Sequence, residues 1–140
     1  MDPASGAAGR TDVGGLPLLR SSDAHFDRLI RIAYRLGQVR AGSPAADQAI
    51  YETLNRSGPV LAYTTAEDAA QSLLPAGFEL LPATYAGGAV YAACRRVGTD
   101  GELPHPHHGQ WGTTLPLAIC GACLRAHAGL DQDRGSAGLG

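Results

Sequence analysis

The stretch TTLPLAICGACLRAHAGL, residues 113–130, is apolar on every side except at Arg125 and His127. A surface helix carries one apolar stripe, whereas a helix that is apolar all round is buried. Thr113 or Thr114 supplies its N-cap, and Pro116 is tolerated in a first turn that has no intrahelical use for its amide. This helix is therefore expected to be the most buried element of the chain, and the other segments are read by how they cover it.

Between Phe78 and Cys94 the pattern changes to that of strands. Phe78 to Tyr85 reads as a strand that Pro82 confines to an edge or a bulge, because proline cannot donate to a ladder. Ala86-Gly87-Gly88 is a tight turn, and Val90, Ala92 and Cys94 alternate with Tyr91, Ala93 and Arg95 as in a half-buried strand. The residues around Gln110 and Trp111 can add a short third strand. Upstream, Thr64 and Glu67 have capping-box spacing ahead of an Ala-rich helix over Ala66, Ala69, Ala70, Leu73 and Leu74, stopped by Pro75-Ala76-Gly77.

Two further helices precede these. Ser43 followed by Pro44 starts one that runs to Leu54 and stops near Ser57-Gly58-Pro59. Asp23 to Gln38, capped by Ser22 or Asp23, places Phe26, Leu29, Ile30, Ala33 and Gly37 on one face and Arg28, Arg31 and Arg35 nearly opposite. The fold class expected is α+β: a small antiparallel hairpin or sheet packed between helices, with a helical N-terminal extension. Residues 1–22 read as a flexible arm, 23–58 as the helical extension, 59–130 as an α-β-β-α sandwich-like core and 131–140 as a flexible tail.

Composition narrows the setting. The 140 residues include 44% hydrophobic side chains, enough for one ordinary domain. Thirteen acidic residues outweigh eleven basic ones, all arginine, and a net charge of −2 argues against a general nucleic-acid binder. No run reaches the roughly 20 apolar residues that span a bilayer. Three cysteines behind a start that lacks a secretory h-region point to a reducing cytoplasm, that of a bacterial host cell.

In order along the chain, AYTTAEDAAQSLLPAGFEL, a hairpin and TLPLAICGACLRAHAGL resemble the phage ABA sandwich domain family over residues 59–128. The matching places are Tyr63-Thr64-Thr65, Gly77-Phe78 and Thr114 through Leu124. The chain departs from the pattern at Leu115-Pro116, at Gly121 and in its His-rich loop. The resemblance implies a small α–β–α layer, an accessory role in a phage or prophage, and no catalytic residues to carry over.

Three constellations carry possible chemistry. Cys120, Cys123 and His127 fall on one helical face, and a histidine from the loop His105-Pro106-His107-His108 could complete a tetrahedral zinc site; the alternative is a buried helix face. His105, His107 and His108 are otherwise a polar, pH-sensitive contact surface. Arg28, Arg31 and Arg35 are either a solvated face or a docking stripe for phosphates or an acidic partner. Trp111 is either a binding hot spot or a cover for the hairpin. No Gly-rich phosphate loop, paired carboxylates, GxSxG or HExxH is present.

The expectation is a non-catalytic protein with no cofactor that binds a macromolecular partner, its most concrete form an inhibitor of a bacterial defence system such as a CRISPR effector. A protein partner is expected, and Pro82 near a sheet edge leaves pairing with a second copy open. The alternatives are a zinc module built on Cys120, Cys123 and His127, and a nucleic-acid binder built on Arg28, Arg31 and Arg35.

Overall fold

The computed structural model describes residues 21–97 and 108–139. In chain order these form α1 (Ser21–Leu36), α2 (Pro44–Thr53), α3 (Glu67–Gln71), β1 (Phe78–Leu80), β2 (Thr84–Ala86), β3 (Ala89–Arg96), β4 (His108–Gly112) and α4 (Leu115–Leu139). The architecture is α+β, with an antiparallel sheet. Of the arm expected over residues 1–22, Ser21 and Ser22 belong to α1, and residues 1–20 lie outside the described residues, as do the loop histidines His105 and His107.

The apolar helix is at the centre. Leu117, Ala118, Ile119, Cys120, Ala122 and Cys123 are at most 3% exposed, and Leu124, Ala126 and Ala128 are wholly buried. The sheet packs on α4 through β3 and β4, while α1 and α3 pack on it from other directions and α2 packs on α1. α1 is thus part of the fold's main contact, with Leu29, Ala33 and Leu36 buried in the same core as α4. α4 also runs on to Leu139, through residues whose composition reads as a flexible tail. Once a buried segment has fixed the first turns, each added residue gains a hydrogen bond without a new nucleation cost.

Strand β3 is central. β1 and β2 pair with it along one edge, and β4 along the other. The expected strand over 78–85 is broken: Leu80 pairs with Cys94 and Thr84 with Tyr91, so residues 81–83 stand opposite Ala92 and Ala93 alone. That is a bulge, and it contains Pro82, whose missing N–H is harmless there. The turn between β2 and β3 is Gly87-Gly88, with φ of 58° and 82°. Positive φ at both central residues matches the right-handed twist of the strands, and glycine adopts it at no steric cost. Val90, Ala92 and Cys94 are buried as expected, but so is Ala93, which the alternation places on the other face and which is only 4% exposed.

The capping-box reading at Thr64 does not hold. Helix α3 starts later, with Ala66 at its N-cap and no side-chain cap, and is only five residues long. Thr64 is engaged elsewhere: Asp47 Oδ1 accepts from its amide at 2.8 Å and its hydroxyl at 2.7 Å, while that hydroxyl accepts from Ser43 N at 3.0 Å. All this is buried, with Asp47 7% and Thr64 1% exposed. Helix α3 ends early because residues 72–74 switch to i→i+3 bonds and the Ser72 hydroxyl donates to Ala69 O at 2.6 Å. Ser43, by contrast, caps α2 as expected, accepting from Ala46 N at 3.1 Å.

A second buried polar node joins α1, β4 and α4. The Gln110 amide is 6% exposed; it donates to Ala33 O and accepts from Arg125 Nε at 2.8 Å. Its side chain lies across Gly121, where an added Cβ would collide with the amide itself.

Two outcomes follow from these nodes. Gly121→Ala, worth about 1 kcal/mol of helix propensity at an open site, lowers Tm by several degrees here, read by calorimetry; a rise contradicts the packing of Gln110. Thr64→Val costs about 2–3 kcal/mol in urea unfolding because a buried carboxylate loses a partner, whereas Thr65→Val, at an exposed position, costs little.

Candidate binding surface on α1 and β4

The three cysteines do not make a chemical site. All are free and buried. Cys120 donates to Tyr63 O at 3.0 Å, and burial, with a smaller contribution from the Asp47 charge, pushes its thiol up to about 12. Cys123 turns towards β3, where a side-chain hydrogen bond with Cys94 and burial raise its thiol strongly. The same bond lowers Cys94, against the upward pull of burial, and Cys94 also donates to Ala122 O at 3.6 Å. His127 Nε2 is spent on Leu73 O at 2.8 Å. The convergence of Cys120, Cys123 and His127 that the zinc alternative needs is not seen: each contacts a different part of the fold, and no group of three metal-ligating side chains occurs among the described residues.

His108 is half-buried and packs inward, its ring 6.1 Å from Phe78 and lying against Gly129. It contributes to the packing around β4 and keeps part of its surface exposed. Arg28, Arg31 and Arg35 are all exposed on α1, as a solvated face or a docking stripe requires. Arg31 pairs with Asp27 one turn away. Arg28 and Arg35 have no ion-pair partner among the described residues.

Trp111 is the outlier on the sheet. It is 47% exposed, directly opposite Tyr91 on β3, with ring centroids 5.3 Å apart and tilted at 51°. Tyr91 in turn lies over Gly109, where a Cβ would strike its ring. Tyr34, 62% exposed, comes alongside from α1 because Gly37 lets the end of that helix approach the Trp111 carbonyl. Together Tyr34, Gln38, Tyr91, Gln110, Trp111 and Arg125 line an open concavity of about 310 Å³. Arg125 uses Nε on Gln110, and its two Nη groups face no acidic partner among the described residues. Aromatic rings beside a half-buried cation are the composition that dominates interface energetics.

Sequence reasoning found Trp111 and missed Tyr34, Tyr91, Gln110 and Arg125. Tyr34 is legible as a lone aromatic on a polar helix face; the other three are united only by strand register and by the packing of α4. The fold and this surface define the class: a small α+β protein built round one buried helix, with an aromatic and cationic patch at the α1–β4 junction. Comparison with protein-family models, with curated proteins and with solved structures finds no match. No helix among the described residues is long and apolar enough to cross a membrane.

The thiol shift sets a pH dependence. Cys120 is raised from about 9 to about 12 on folding, so its contribution is fully present below pH 9 and is lost as pH rises from 9 to 12. The loss approaches 1.4 kcal/mol per pH unit. Urea unfolding of wild type against Cys120→Ala across pH 8–11 should show the wild type falling more steeply; parallel curves contradict the burial of this thiol.

Proposed function

We propose that this is a non-catalytic binding protein that engages a macromolecular partner through the α1–β4 surface. The observation that carries the reading is Trp111, a large aromatic left half in water, backed by Tyr91 and flanked by Tyr34 and by Arg125, whose Nε donates to Gln110. The Tyr91 ring packs against the Trp111 ring before any partner arrives, which lowers the ordering cost of binding. The buried thiols favour binding over catalysis, since an attacking thiolate needs access and an activating base.

In its finer form, the protein acts in the cytoplasm of a bacterial host as a phage or prophage accessory protein that blocks a defence component. The resemblance over residues 59–128 supports that version, and the partner it implies is a protein. Net charge of −2 and the pairing of Arg31 with Asp27 favour a protein over nucleic acid.

The test is affinity capture from bacterial lysate with a tag other than polyhistidine, followed by mass spectrometry. One stoichiometric partner is expected, lost with Trp111→Ala or Tyr34→Ala while Tm changes by less than a few degrees. Capture of nothing, or a partner retained by both variants, contradicts the reading.

A further inference from the structure

On the other side of α1 lies a second concavity, between α1 and α2. Ile32, Leu36 and Val39 form one wall and Ala45 and Ala49 the other, with Arg35 at the rim; the space is about 230 Å³. Its lining is chiefly apolar, and the alanines of α2 are what leave it open. Ligand pockets for free small molecules begin at roughly 300 Å³ and enclose most of the ligand. This groove is smaller and open to solvent, a fit for one large apolar side chain presented by something bigger.

The charge around it has one sign along α1. Arg28 and Arg35 are four residues before and three after Ile32, and so share its helical face. Arg40 stands between two lining residues, Val39 and Ala41, and is exposed. None of the three has an ion-pair partner among the described residues. On α2, Glu52, three residues after the lining residue Ala49, accepts from Gln48 at 2.8 Å. An occupant with an apolar anchor and acidic flanks lying towards α1 would meet complementary charge, whereas a basic one would be repelled there.

We infer that the α1–α2 groove takes the apolar anchor of an acidic amphipathic helix of a protein partner, with Arg28, Arg35 and Arg40 pairing to carboxylates beside that anchor. Helix-in-groove recognition needs an apolar slot flanked by polar residues that fix orientation, and both are present. The inference rests on the binding-protein reading and adds the chemistry of what is bound. It also places recognition on both flanks of α1, with Trp111 on one and the groove on the other.

The test uses a fluorescein-labelled helical peptide of about four turns, with leucines along one face and glutamates beside them, titrated with the full chain at low ionic strength. Two control peptides carry Leu→Ser with the charge kept, or Glu→Lys with the leucines kept. Saturable binding is expected for the Leu/Glu peptide, at least about tenfold weaker for either control. Ala45→Phe fills the groove from an exposed position and Arg35→Glu inverts the rim; each should weaken binding about tenfold with circular dichroism unchanged. Equal binding of the Leu→Ser peptide, or of a single-stranded DNA of the same length, would mean that charge alone is read, and would overturn the groove. So would no binding, or binding indifferent to Ala45→Phe. If the peptide fails while lysate capture still depends on Trp111, only the groove falls; if capture fails as well, the binding reading falls with it.

Discussion

A helix with almost no polar face cannot rest on a surface; it has to be covered on all sides, and α4 dictates what the rest of the chain does. The sheet takes one side, α1 another and α3 a third. The residues facing these partners are small, so three elements approach the same helix closely: alanine at 118, 122 and 126, and glycine at 121. Close approach raises the cost of any polar atom trapped between layers, and two groups of buried polar side chains are met by hydrogen bonds. Gln110 bonds across three elements, and Asp47, Thr64 and Ser43 close a second knot at the start of α2. Breaking either leaves buried groups unpaired, which is costlier than losing the hydrogen bond alone.

That arrangement explains which parts of the fold are legible in the sequence. The Gly87-Gly88 turn and the Ser43-Pro44 start each carry their own local chemistry, and they occur where that chemistry puts them; the alternation through Val90–Arg95 holds except at Ala93, which is buried as well. Thr64 and Glu67 satisfy a capping-box spacing equally well, yet Asp47, 17 residues earlier in the chain, takes both the hydroxyl and the amide of Thr64. A long-range carboxylate outcompetes a local cap, and no window of sequence contains both. The cysteines give the same lesson: a shared helical face says nothing about what each sulfur meets, and here one meets a loop carbonyl and the other a strand thiol.

The candidate surface follows from the same constraint. Because α1 must lie against α4, its end is brought beside β4, and Tyr34 arrives next to Trp111. Arg125 is one of few charged residues on α4, and Gln110 holds it at the edge of the patch. Trp111, Tyr34 and the arginines of α1 are visible in the sequence; Tyr91 and Arg125 join Trp111 through register and helix packing. α1 therefore serves twice, covering the core with Leu29, Ala33 and Leu36 and presenting side chains outward between two concavities.

With α1 docked on α4 as part of one cooperative unit, the recognition surface exists before any partner binds. Native-state hydrogen exchange of the free protein tests it directly. Amides of α1 from Leu29 to Leu36 are expected to exchange as slowly as those of α4 from Leu117 to Ala128, through global unfolding. Exchange of α1 orders of magnitude faster than α4 would mean that the helix opens independently, and the pre-formed α1–β4 surface would not stand.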